Sequence, residues 1–341
     1  RHSAASSACF ALMCTHTCSP HPTQSTALEY ISKSVKLWKM AVELEEDENN
    51  ARLLLSSAVE NVPDSVDLWL ALARLEPYER ARAVLNTAQK HIPTEPLIWI
   101  AAARLEEDHG REEMVDKIIT RAVRFLANES VFLEREQWLE QAKLCDKAGA
   151  VLTCQAIVRA TIGMGVEEID RKQTWMSDAQ NATAEGCIHT ARAIYAHALT
   201  LFPQKRSLWL AAAALEREHG TPAQHIETLE RAVTYLPHVE TLWLMCAKEK
   251  WRQNDVDGAR RTLEAAFREN SQSESIWLAA VKLEFENGEV ARARLLLERA
   301  RSESSTARVW MKSAILEREL GNAEQEGVIL SDGLAKFPDA P

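Results

Sequence analysis

Cysteine and histidine side chains ligate metals, and in this chain they crowd at one end: Cys9, Cys14, His16, Cys18 and His21. Their spacing, C-x4-C-x-H-x-C-x2-H, is not that of a structural zinc site, which pairs closely spaced cysteines with distant ligands. No metal ligand is assigned. The other four cysteines, at 145, 154, 187 and 246, form no C-x-x-C pair. That usage fits a reducing compartment, with the thiols serving as small apolar side chains. Gly163-Met164-Gly165 could cradle a phosphate only behind a strand, and none precedes it. No H-E-x-x-H, G-x-S-x-G or Walker A string occurs, so neither a catalytic residue nor a cofactor is expected. What does recur is a carboxylate and a guanidinium: Glu45, Glu76, Glu106, Glu216, Glu284 and Glu317, and Arg52, Arg82, Arg192, Arg260 and Arg294. Groups repeated so often cannot form one active site. They predict a charge-assisted brace inside each of a series of units.

A periodic frame carries those charges. Nine of the ten tryptophans form a series: Trp38, Trp69, Trp99, Trp138, Trp175, Trp209, Trp243, Trp277 and Trp310, at intervals of 30 to 39 residues, with Trp251 alone out of register. Four residues after each anchor stands Ala or Val, and seven after, in six of nine, stands Glu. Offsets of 0, 4 and 7 share one face of a helix and would be split by a strand. A second helix follows, marked by a small residue, an aliphatic or aromatic at +4 and Ala at +7, as in Ala81-Leu85-Ala88 and Ala259-Leu263-Ala266. Small residues beside a large indole permit close helix packing. Pro63, Pro93, Pro203 and Pro237, each six residues before a Trp, are expected to stop one helix before the next begins. Gly110 and Gly220 are expected to serve as C-caps and turns.

A unit of about 34 residues cannot bury its own apolar face and must stack on its neighbours. The fold class is therefore all-α, a right-handed α-solenoid of about nine helix–turn–helix repeats over residues 30–341, rather than two globules. Composition agrees: 341 residues carry eleven Gly and eleven Pro, with 46% apolar and 26% charged residues. Fifty acidic residues against 40 basic give a net charge of −10, which disfavours generic binding to a phosphate backbone. No apolar run approaches a membrane span.

The pattern bends around residues 126–186. The anchors there are 39 and 37 residues apart, Cys145 and Ala182 replace the recurrent Glu, and Gly163–Glu168 is expected to form a longer inter-repeat loop. Arg159 and Arg171, beside that loop, are candidate partner contacts. Residues 1–29 start with Arg, lack an acid before Glu29, and are expected to be a disordered or non-native segment. At the other end Pro338 would announce a further anchor, and the array is expected to be truncated there.

W-x3-[AV]-x2-E followed by A-R-x2-[LY]-x2-A resembles the HAT (half-a-TPR) repeat over residues 31–337. The strings at 191–199, 242–251, 274–287 and 307–322 are similar to the HAT scaffold family of the spliceosomal U5 particle. That resemblance implies a nuclear, non-enzymatic assembly protein in pre-mRNA splicing, bridging proteins of the U5 and U4/U6 particles in the tri-snRNP. Partners would lie along a concave face lined largely by second helices. Two other readings stay open: a HAT scaffold of mRNA 3′-end cleavage and polyadenylation, and a solenoid that binds RNA directly. The second needs basic residues gathered on one face, whereas Glu216-Arg217-Glu218 and Glu317-Arg318-Glu319 interleave the signs.

Overall fold

The computed structural model describes residues 33–129, 131 and 133–338. The expectations for residues 1–29, including the cysteine–histidine set, lie outside them. Among the described residues there are eighteen α-helices and no strand. The first repeat is α1 (Val35–Glu43) and α2 (Glu48–Asn61), the second α3 (Val66–Leu75) and α4 (Tyr78–His91), the third α5 (Pro96–Asp108) and α6 (Glu112–Asn128). The fourth is α7 (Arg135–Lys147) and α8 (Val151–Thr161), and the fifth α9 (Arg171–Ala184) and α10 (Ile188–Leu201). Then follow α11 (Arg206–His219) with α12 (Pro222–Tyr235), α13 (Glu240–Arg252) with α14 (Val256–Glu269), α15 (Glu274–Glu286) with α16 (Val290–Glu303), and α17 (Ala307–Glu319) with α18 (Ala323–Lys336). The loop expected after α8 is present as residues 162–170. The helices fall into two compact units. One holds the chain to Arg171 together with Ala184–Ile194; the other holds Lys172–Thr183 and the chain from Tyr195 onward.

Local chemistry sets the helix ends. Pro96 and Pro222 occupy first-turn positions, where a missing N–H costs nothing. Thr221 and Gln224 exchange backbone N–H bonds as a capping box. Gly110 closes α5 in the left-handed region at φ 71°. Gly220 caps α11 instead in an extended conformation, φ −94°.

Eight of the nine anchor indoles are at most 9% exposed; only Trp310 is half-buried. The small residues expected to receive them are fully buried, among them Ala58, Ala88, Ala232, Ala266 and Ala300. The prolines do more than stop helices. The indole N–H groups of Trp69, Trp99, Trp209 and Trp243 donate to the carbonyls of Pro63, Pro93, Pro203 and Pro237, at 2.8, 3.1, 2.8 and 2.8 Å. Trp277 donates likewise to the Ser271 carbonyl at 3.0 Å. A buried N–H without an acceptor would cost about 1–3 kcal/mol, so the residue six before each of these five anchors presents its oxygen inward. From the second helix, His91 stacks on Trp69 and Tyr235 on Trp209.

The Glu–Arg brace exists, but it joins successive repeats rather than lying inside each one. Arg82 on α4 reaches Glu106 on α5 at 3.2 Å. Arg260 on α14 grips Glu284 on α15 with two bonds of 2.8 Å, and Arg294 on α16 grips Glu317 on α17 in the same way. The reason is directional. A second helix packs its Arg face on the following first helix, so the carboxylate within reach lies 23 or 24 residues ahead. At the first boundary Pro77 ends α3 at Leu75 and leaves Glu76 off the helix. Arg52 turns to Glu48 (3.4 Å) and Glu76 to Arg80 (3.9 Å). Between α12 and α13 the pair is a different one: Lys250 occupies the usual Glu position, Ile226 the usual Arg position, and Lys250 binds Glu230 at 2.7 Å.

A carboxylate beside the recurrent site makes a different bond. Glu107, one position later on α5, accepts from Leu152 N–H, Thr153 N–H and the Thr153 hydroxyl, at 2.7, 2.8 and 2.6 Å. It thus caps the N-terminus of α8, three helices further on. Asp146 on α7 does the same for α10, accepting from the N–H and hydroxyl of Thr190 at 2.8 and 2.9 Å. A carboxylate at these unsatisfied N–H groups gains from charge assistance and from the helix dipole. Beside these caps lie the buried thiols of Cys145, Cys154 and Cys187. Burial raises all three, Cys145 to about 11 and Cys154 to about 12, so they stay protonated and apolar.

Candidate protein-docking grooves

First helices that pack side by side leave a furrow over their outer turns. In the first unit a groove of about 580 Å³ runs over α3, α5 and α7, with Arg74, Tyr78, Arg104, His109 and Leu144 on its walls. In the second a groove of about 730 Å³ runs over α13, α15 and α17. These two grooves are lined mainly by first helices, whereas partner contact was expected along second helices. A second helix lines a hollow as well: one of about 510 Å³ lies along α6 at Asp116, Lys117, Arg121, Arg124 and Phe125.

The position five residues after the anchor faces these grooves. It is Arg74, Arg104, Lys143, Lys248 and Lys282 in five of the nine repeats. Arg74, Arg104, Lys248 and Lys282 line the grooves, while Lys143 is tied to Glu140 and Glu185 at 3.1 and 2.7 Å. A basic ladder thus runs along first helices in an acidic protein. Its period is readable in the sequence, but interleaved acids on neighbouring faces hide it from any count of net charge.

The larger groove has an apolar floor and a cationic rim. Trp251, the one tryptophan outside the series, is half-buried there with Leu244, Leu278 and Ile315. Lys248, Lys282, Arg308 and Lys312 stand around them, against the acids Glu286 and Glu319. Lys282 leans on Glu286 at 3.6 Å and Arg308 on Glu274 at 3.4 Å. Lys248 and Lys312 are exposed, and neither makes an ion pair with a described residue.

The two arginines expected to meet partners are elsewhere and apart. Arg159 lies on α8 and its guanidinium is 2.7 Å from Asp116 on α6. Arg171 opens α9 and donates to the Val166 carbonyl at 3.4 Å. Of the nine anchors, all but Trp310 are buried between helices.

Residues 166–306 match the family model described as the PRP39 N-terminal HAT repeat. Over those residues the repeats are similar to HAT repeats. The chain is 54% identical over 107 residues to human "Pre-mRNA-processing factor 6", covering 31% of this chain and 11% of that protein. It is 52% identical over 163 residues to "Pre-mRNA-splicing factor prp1" of Schizosaccharomyces pombe, covering 48% and 18%. It is 53% identical over 232 residues to "Protein STABILIZED1" of Arabidopsis thaliana, covering 68% and 22%. The chain therefore matches less than a quarter of the length of any of these three relatives. Among solved structures, that of the MamA protein overlays with a TM-score of 0.36 and 15% identity, over 50% of this chain and 93% of that one.

Proposed function

We propose that this HAT array is a non-enzymatic scaffold of nuclear pre-mRNA splicing. In this reading residues 30–341 act as one array that holds protein segments of the U5 and U4/U6 particles during tri-snRNP assembly. The observation that carries it is the identity of 52–54%, over 107 and 163 residues, to two proteins named as pre-mRNA processing and splicing factors, beside the HAT-repeat match of residues 166–306. The grooves over the first helices supply concave surface of the kind that stacked repeats use to hold extended partners. The groove cations are better placed for contact than Arg159 and Arg171, which would first give up their bonds to Asp116 and Val166.

The test is affinity purification of the chain from nuclear extract, with and without RNase, followed by mass spectrometry. The proposal expects U5 and U4/U6 proteins that survive RNase. Recovery of cleavage and polyadenylation factors, or loss of all partners on RNase treatment, would overturn it in favour of the two other readings.

A further inference from the structure

We infer that the groove over α13, α15 and α17 is a docking site for an acidic, amphipathic protein segment, whose apolar side chains sit against Trp251, Leu278 and Ile315 while its carboxylates meet Lys248, Lys282 and Lys312. The inference rests on the scaffold reading and names the chemistry of a partner.

Charge complementarity selects the occupant. The groove lining carries four cations and two acids, in a chain whose net charge is −10. Of the cations, Lys282 and Arg308 already lean on carboxylates, whereas Lys248 and Lys312 reach solvent with no partner among the described residues. Two ammonium groups flanking an apolar strip invite carboxylates spaced along an apolar segment. The floor explains why the occupant carries apolar residues too. Trp251 is the one indole not used to hold repeats together, and its neighbours Leu244, Leu278 and Ile315 are half-buried rather than packed away. An indole with one apolar face in a groove and a cationic surround is the usual make-up of a binding hot spot. Axes of packed helices lie about 8–10 Å apart, so three first helices span about 20 Å, the length of about 13 residues of α-helix. A second copy of this chain is the competing occupant, since α18 carries Glu324 and Glu326 beside exposed Val328, Leu330 and Leu334, and light scattering distinguishes it. RNA would bring phosphates, but flexible single strands prefer several stacking rings and the groove offers one.

The experiment pans a displayed library of random 16-residue peptides against the intact chain. Three variants run in parallel: Lys248→Glu with Lys282→Glu, Trp251→Ala, and Arg261→Glu with Arg268→Glu. The last pair changes charge equally on the exposed face of α14, away from the groove. The expected result is enrichment of peptides with Asp or Glu beside apolar residues at helical spacing. Their affinity falls about tenfold for the lysine pair and for Trp251→Ala, and stays unchanged for the α14 pair. Circular dichroism identifies any variant that has merely unfolded, and Lys282→Met then replaces it. Peptides without acidic excess, equal binding by wild type and the lysine pair, or no enrichment would each overturn the inference. So would a labelled 12-nucleotide oligo(U) that binds and is lost with the lysine pair, or a light-scattering dimer abolished by it. None of these readouts uses nuclear extract, so failure here leaves the splicing reading standing.

Discussion

The brace between α14 and α15 can be broken cleanly with Glu284→Ala. Glu284 is 5% exposed and holds Arg260 through two bonds of 2.8 Å, which keep the guanidinium protonated. Removing one partner of a buried pair costs about 3–5 kcal/mol, because the other charge is stranded. Arg260 is only partly stranded: its side chain is 23% exposed and it keeps Asp257 at 3.0 Å. Both facts reduce the loss to about 2 kcal/mol. Repeat arrays lose stability locally, so a single melting temperature would dilute the effect. Hydrogen exchange resolved to α14 and α15 reads it directly: a loss of about 2 kcal/mol speeds exchange there about 30-fold. The Arg260→Leu, Glu284→Ala double mutant should show a coupling near the same size. Pairing Glu284→Ala with Arg294→Leu, inside one repeat, should be additive within about 0.5 kcal/mol. Coupling to Arg294 but not to Arg260, or exchange raised less than threefold, would refute the inter-repeat brace.

Other outcomes follow from the same geometry. Arg294, and with it Asn322, holds the Glu317 carboxyl below its ordinary value of 4.5. A depressed carboxyl stabilises the fold above its unfolded value and loses that contribution as the pH falls through its folded value. Exchange in α17 should therefore rise below about pH 4.5 in the wild type, and less so in Glu317→Gln. Glu107→Ala removes three bonds from the start of α8 and should cost about 2 kcal/mol, seen as faster exchange of α8 alone. Cys145 and Cys246, each pushed to about 11 by burial, should react with iodoacetamide at pH 8 about 100-fold more slowly than in urea. Trp209→Phe leaves the Pro203 carbonyl without its donor and should cost about 2 kcal/mol; Trp310→Phe, half-exposed, should cost less.

The helices and their anchors were legible because burial imposes a period: an indole that must be covered every 34 residues writes itself into the text as Trp, with Ala where its partner surface must be thin. The reach of the brace was not legible. Glu216 and Arg217, or Glu284 and Arg294, are close in sequence, and spacing alone cannot say whether an Arg turns back to its own repeat or forward to the next. That depends on which faces meet, as the Arg260–Glu284 pair shows. The remote caps were illegible for the same reason, since Glu107 and Thr153 are 46 residues apart. The groove ladder was in plain sight at one repeat position, but the charge of each repeat averages it away.

Where the Arg–Glu brace forms, at Arg82–Glu106, Arg260–Glu284 and Arg294–Glu317, it spans a boundary, with the cation facing forward and the anion facing back. That gives the array a head and a tail, like a monomer that adds in one direction only. It also records order. At the α12–α13 joint Lys250 stands in place of the Glu, Ile226 in place of the Arg, and Glu230 supplies the acid from one turn further along. A predecessor of the Arg82 or Arg260 kind would set its guanidinium against Lys250. Hairpins that look interchangeable by shape are thus keyed by charge at the joints where such pairs form.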